Sequence, residues 1–148
     1  MPPNQHVYEL QIVERHLDTF GHVNNARYLE IFEEARWDWI TGRGYDLDSI
    51  QRLQKGPTVL RCTVEFLREL HNRERVQVLT QVVSYVGKTG ELQQAVVKSS
   101  GDVACKASFV LGLFDLSSRR LVPPTPEWLH AIDFEDGYRP KAAREPAS

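Results

Sequence analysis

His16-Leu17-Asp18-Thr19-Phe20-Gly21-His22-Val23-Asn24-Asn25-Ala26-Arg27-Tyr28 is where an extended chain turns into a helix. Asn24-Asn25 is a helix N-cap pair, because a short polar side chain there can accept from the first free backbone N–H groups. Residues 25–40 then read as one amphipathic helix. At about 100° per residue, Ala35, Tyr28, Trp39, Phe32 and Leu29 form a wide apolar arc, with Ile31 and Ile40 at its edges. Arg36 falls inside that arc. Glu30, Glu33, Glu34 and Asp38 occupy the other side as an acidic, solvated ridge, together with Trp37, which reads either as a plain exposed aromatic or as a contact between subunits. So wide an arc requires a sheet to cover it. Gly42 and Gly44 stop the helix.

Outward from this helix the chain reads as strands. Upstream, Tyr8, Leu10 and Ile12 alternate with Glu9 and Gln11 over residues 7–14. Downstream, Asp46 caps a short helix ending at Leu53, with Leu47, Ile50 and Leu53 on one side. Gly56-Pro57 opens a strand in which Leu60, Cys62, Val64 and Phe66 alternate with Arg61, Thr63 and Glu65. After the turn His71-Asn72-Arg73, the next strand sets Val76, Val78, Thr80 and Val82 on one face. Leu79, Val83 and Tyr85 take its other face. Gly87-Lys88-Thr89-Gly90 is a hairpin turn. Leu92–Lys98 and a run from Val103 to Leu113 complete the strands. Pro123-Pro124-Thr125-Pro126 ends the sheet, and Thr125 caps a last helix near 127–132. The order is β, long α, then four β. This predicts an α+β chain with one long central helix wrapped by a five-stranded antiparallel sheet. One domain is expected over residues 1–136, with residues 137–148 as a loose polar tail. Several strands carry apolar residues on both faces. The helix covers one face, so a partner subunit is expected on the other.

The chain has 148 residues and a formal net charge of −2, so nothing global draws it to nucleic acid. No apolar run is long enough for a membrane span. The first six residues lack the basic and apolar regions of a secretory signal. Cys62 and Cys105 lie in apolar-alternating segments and read as buried free thiols of a cytoplasmic protein. No second His sits at metal-ligand spacing to His22, so no metal is expected. There is no phosphate-binding glycine loop, no dinucleotide fingerprint and no G-x-S-x-G nucleophile elbow. No cofactor is expected.

Asp18 lies seven residues before the first helical residue, with Gly21 between them to allow a tight return. A helix N-terminus presents unpaired N–H groups at a positive dipole end and can hold a developing oxyanion. A carboxylate folded back beside it can attack a carbonyl or activate water. On spacing alone, the preferred reading of Asp18 is a turn residue bonding its own backbone.

The run Asp18-Thr19-Phe20-Gly21-His22-Val23-Asn24-Asn25-Ala26-Arg27-Tyr28, continued by Leu29-Glu30 and Glu33-Glu34-Ala35-Arg36-Trp37-Asp38-Trp39, resembles the hotdog-fold acyl-CoA thioesterases of the 4-hydroxybenzoyl-CoA thioesterase-like group. The resemblance is to the bacterial long-chain acyl-CoA thioesterase III branch and covers residues 7–114. It implies a homo-oligomer, with a tetramer favoured, that hydrolyses long-chain fatty acyl-CoA to free acid and CoA. It implies that Asp18 is the catalytic carboxylate, as nucleophile or general base, and that the Asn25 backbone N–H polarises the thioester carbonyl. Substrate contacts are expected from His22, Asn24 and Tyr28. His22 and Asn24 also read as a loop-packing residue and a helix cap. Coenzyme A carries phosphates, so Lys88 beside Thr89, then Arg61 and Arg27, are the candidate cations. Two other readings stay open. One is a non-catalytic acyl-CoA-binding module; the other is an enoyl-CoA hydratase or dehydratase using His22 with Asp18.

Overall fold

The computed structural model describes residues 4–142. Strand β1 (His6–Gln11) is followed by a 3₁₀ turn (Glu14–His16), helix α1 (Asn25–Gly42) and helix α2 (Leu47–Leu53). Strands β2 (Lys55–Phe66), β3 (Arg75–Val86), β4 (Thr89–Lys98), β5 (Val103–Asp115) and β6 (Arg120–Val122) come next, then helix α3 (Pro126–Ala131). The sheet is antiparallel in the order β1-β3-β4-β5-β2, with β6 added beside β5. This is the α+β hotdog architecture. The sequence reading missed β6, a three-residue strand too short to show a period.

Helix α1 begins where the sequence sets it. The Asn24 side chain accepts from Ala26 N, and the helix ends at Arg43, before Gly44 at φ +91°. Tyr28, Ile31, Phe32, Ala35, Trp39 and Ile40 are buried, at the three- and four-residue spacings that align side chains on one helix face. Leu29 is exposed instead, at the rim of the arc. Phe32 meets Phe109 of β5 edge to face. Asp46 caps α2 through Ser49 N, and Thr125 caps α3 through Trp128 N. Leu47 is exposed, so only Ile50 and Leu53 of the expected α2 stripe pack inward.

The helix is held to the sheet by polar groups as well. Gln94 of β4 is 2 % exposed. Its amide donates to the Phe32 carbonyl (3.0 Å) and to Thr80 Oγ1 (2.9 Å), and its oxygen accepts from Arg36 Nη1 (2.9 Å). At the sheet edge, the Tyr8 hydroxyl donates to Glu34 (2.7 Å), which with burial pushes the phenol up to about 12. His6 Nε2 lies 3.0 Å from Asp38. Glu30 takes Arg27, and Glu33 accepts from the Trp37 indole. The acidic ridge expected to be merely solvated is therefore largely engaged.

Two bulges change the predicted faces. One lies between Val82 and Ser84, and it returns Tyr85 to the buried side beside Gly90. A Cβ at Gly90 would strike the Tyr85 ring, so the ring takes the space that a side chain would fill. The other lies between Val59 and Arg61. It makes Leu60 the extra residue, and Val59, Cys62, Val64 and Phe66 are the ones paired to buried residues of β5. Cys105 is buried as expected, and burial raises its thiol to about 12. Cys62 is exposed, because its face of β2 borders an open groove beside α1 and not closed packing. In the expected loose tail, Tyr138 meets the Tyr85 ring edge-on and Arg139 bridges to Val86, so this part is docked; residues 143–148 lie outside the described residues. Among the described residues, no helix is long and apolar enough to cross a membrane.

Gln94→Ala should lower stability by about 2–3 kcal/mol, because it strands the buried Thr80 hydroxyl and removes the hydrogen bonds that tie β4 to Phe32 and Arg36 of α1. Urea unfolding measures this. An unchanged midpoint would show that the Gln94 contacts contribute nothing net.

Candidate active site

The loop before α1 is a small hairpin. Leu17 bridges to Val23, Asp18 N donates to the His22 carbonyl (2.8 Å), and Asn24 N donates to the His16 carbonyl (3.0 Å). Gly21 turns it at φ +82°, a left-handed conformation that an L side chain rarely adopts. His16 is buried beneath it, and its Nδ1 accepts from Val13 N (2.9 Å). Burial, ahead of the Arg15 charge, lowers its pKa and keeps the imidazole neutral for that role. The turn at 71–73 braces the loop from outside, with Arg73 holding the Glu14 carboxylate at 2.6 Å and 2.8 Å.

Asp18 takes the turn role that its spacing allowed, and it does so with one oxygen. Its Oδ1 accepts from Phe20 N (2.9 Å) and His22 N (3.2 Å), which is the local turn bonding. Its Oδ2 has no hydrogen-bond partner among the described residues. The Asn25 N–H, first in the helix, likewise has none. His22, opposite Asp18 in the hairpin, precedes Asn25 by three residues, about 10 Å of extended chain. A free carboxylate oxygen and a free helix-end N–H thus flank one short stretch of loop.

The other expected site residues divide. The His22 imidazole sits 3.3 Å from Glu69 and edge-on to His71, so its side chain pairs with Glu69 and only its backbone meets Asp18. Asn24 spends its side-chain oxygen on the cap. Tyr28 is buried against Phe66, and burial raises its phenol to about 12. Arg27 pairs with Glu30 at the first helical turn. Arg61 is exposed at the β2 bulge. Lys88 and Thr89 are not brought to the Asp18 loop of their own chain. That loop adjoins the start of β3, through Ile12–Glu74 and Arg73–Ile12 hydrogen bonds, whereas Lys88 follows the far end of β3. Twelve residues of strand separate them, about 40 Å. The sequence reading passed over Glu69 and His71, whose nearness to His22 arises only from the β2–β3 connection.

From the helix N-terminal half a groove of about 440 Å³ runs between α1 and β2. Leu29, Trp37, Val59, Leu92 and Phe109 line it, with Glu30 and Glu33 at the helix side. Such a cleft suits an extended apolar ligand.

The model of the thioesterase-like superfamily matches residues 14–132. The long-chain acyl-CoA thioesterase FadM of Escherichia coli (strain K12) is 29% identical over 116 residues, covering 76% of this chain and 85% of that protein. The probable thioesterase YbaW from Escherichia coli superposes with a TM-score of 0.77 at 25% identity, over 87% of this chain and 97% of that one. Slr0204, a 1,4-dihydroxy-2-naphthoyl-CoA thioesterase from Synechocystis, gives 0.79 at 18% identity, over 87% and 96%. That last likeness speaks to the fold alone.

The Glu14–Arg73 contact makes a prediction about acid. Arg73 first, helped by backbone and Asn72 hydrogen bonds, lowers the Glu14 pKa from 4.5 to about 2. A depressed folded-state pKa means that the stabilisation is present above pH 4.5 and is lost as pH falls through about 2. Carboxyl-carbon NMR should find the Glu14 midpoint near 2, and Arg73→Ala should raise it. A midpoint of 4.5 in both proteins would dissolve the brace.

Proposed function

The chain belongs to the thioesterase-like superfamily, and on that premise we propose that it hydrolyses fatty acyl-CoA to free acid and CoA. The observation that carries the reading is the pair of unengaged groups flanking the motif loop, Asp18 Oδ2 and the Asn25 N–H. The thioester carbonyl oxygen is placed at the Asn25 N–H, where the helix dipole favours the charge that develops on it. Asp18 Oδ2 either attacks the carbonyl carbon, giving an anhydride that water opens, or takes a proton from the attacking water. In both routes the carbon–sulfur bond breaks and the CoA thiolate leaves. Oδ1, anchored to Phe20 N and His22 N, keeps the carboxylate aimed during this chemistry. Asn24, His22 and Tyr28 shape the site through cap, loop and wall, and the groove under α1 takes the acyl chain.

The likeness to FadM supports a long aliphatic acyl group. A second copy of the chain is proposed along the β2 edge, where Val59, Leu60, Phe66 and Leu67 are exposed beside an unpaired strand, with tetramers built from such dimers. Phe20, 83 % exposed on the catalytic loop, adds to the apolar surface such assembly would cover. Lys88 and Thr89 would then serve CoA phosphates only from a neighbouring subunit, and Arg61 would serve them from the β2 bulge. A reducing cytoplasm is the proposed setting, in keeping with the free thiols Cys62 and Cys105.

Thiol release assayed over acyl-CoA chain lengths, with aromatic thioesters included, tests the activity. Asp18→Asn keeps an Oδ1 acceptor for the loop and removes the charge. It should cut kcat on the order of 10²–10⁴-fold with much less change in KM. Near-normal kcat in a folded variant would remove Asp18 from the chemistry. Single turnover in oxygen-labelled water separates the routes, since only the nucleophilic one leaves label on Asp18. Light scattering at micromolar concentration should report at least a dimer, and an active monomer would overturn the proposed assembly.

A further inference from the structure

The groove between α1 and β2 is apolar along most of its length, and one charged group opens into it. Arg36 projects from α1 into the middle of the apolar layer. Its guanidinium carbon lies 4.5 Å above the Phe109 ring, and its Nη1 donates to Gln94. A guanidinium has five N–H donors. Among the described residues its Nε and Nη2 make no hydrogen bond, and no carboxylate oxygen comes within 4.0 Å of it. No fully enclosed side-chain nitrogen is left unpaired, so these donors face the open groove. Glu33 lies on the same side of the groove but spends Oε1 on the Trp37 indole, and its charge reaches Arg36 only from a distance.

A cation in an apolar layer is costly unless an acceptor or a counter-charge meets it. Packing alone would be served better by Leu or Met at this position. Phe109 and Gln94 fix the plane of the guanidinium, and they leave its remaining edge turned toward whatever fills the groove. Arg36 follows Asn25 by 11 residues, about 16 Å along the helix axis. An acceptor that reaches it is therefore remote from the thioester, on the distal part of a long acyl chain.

Resting on the thioesterase reading, we propose that Arg36 is a specificity-determining residue, and that the preferred substrates are long-chain acyl-CoAs bearing an oxygen at the distal end, as hydroxyl or carboxylate. The oxygen accepts from Nε and Nη2 while the methylene chain lies along Val59, Leu92 and Phe109. An unsubstituted chain of the same length leaves those donors with water or nothing, so the discrimination falls on the substituted end.

The test compares each ω-hydroxy and ω-carboxy acyl-CoA with the unsubstituted thioester of equal length, across a series of lengths. At the length that reaches Arg36, kcat/KM for the substituted thioester should exceed the plain one by about tenfold or more. The advantage should fade at shorter lengths. Arg36→Met should collapse the ratio toward one, the substituted thioester losing far more kcat/KM than the plain one; a merely structural arginine would lower both by the same factor and leave the ratio as it was. Arg36→Lys, which keeps the charge and loses the planar fork, should retain part of the ratio. Wild-type protein with no preference at any length overturns the inference whatever the variants do, and leaves the thioesterase reading standing. If no thioester is hydrolysed, calorimetry with free ω-hydroxy and plain fatty acids still decides. Equal affinity for the two acids overturns the inference, and a preference that Arg36→Met removes supports it.

Discussion

The three hydrogen bonds of Gln94 are the constraint from which the rest of the molecule can be followed. A helix lying on a sheet is ordinarily positioned by apolar packing, which is strong but tolerant of sliding and rotation. Gln94 removes that tolerance. It reaches from β4 to the Phe32 carbonyl and the Arg36 guanidinium of α1, and sideways to Thr80 of β3. A shift of α1 by even one residue would break two of the three and leave buried polar groups unpaired. Since α1 is fixed in axial position, its N-terminus is fixed too, and with it the place where a carbonyl oxygen can be received. The hairpin carrying Asp18 is then clasped to that end through His16, Asn24 and the 71–73 turn.

The edge strand β2 controls the other half of the site. Its bulge at 59–61 bends the strand and resets the alternation, so that Val59 and Cys62 both fall on the α1 side. Without the bulge, Leu60 would stand in that phase and crowd a different part of the groove. The same strand leaves an unpaired edge with exposed Leu60 and Phe66, an arrangement that isolated monomers usually avoid. Groove shape and the surface available for assembly thus come from one irregularity.

What was legible in the sequence was what depends on neighbours in the chain. The caps at Asn24, Asp46 and Thr125, the length of α1 and the turn at Gly87 are local chemistry, and each sits where the residues put it. The family was legible because the Asp18–Tyr28 motif is local as well. The two bulges were not, since one inserted residue reverses every face beyond it and leaves no mark in composition; Tyr85 and Leu60 were assigned to the wrong sides for that reason. Lys88 was grouped with Asp18 by the charge of its ligand, but strand topology sends it to the opposite end of the sheet. The partnership of His22 with Glu69 also needed the three-dimensional arrangement. Arg36 is the intermediate case. Its position inside the apolar arc was plain from the periodicity, and its meaning required knowing that a groove, and not a closed core, lies beneath it.

In the proposed reaction Asp18 serves loop and chemistry with one side chain. A carboxylate has two oxygens and about four acceptor sites. Two backbone N–H groups occupy Oδ1, which removes rotational freedom and fixes the direction of Oδ2. A carboxylate oxygen that is permanently aimed loses no time or entropy to rotation when a reacting group arrives. The same reasoning explains why Gly21 belongs in the loop. The turn at φ +82° is what allows the Phe20 and His22 amides to converge on one oxygen. The glycine, the two amides and the carboxylate therefore form a single device, and the free helix N-terminus beyond it completes the pair of groups that an acyl-transfer reaction needs.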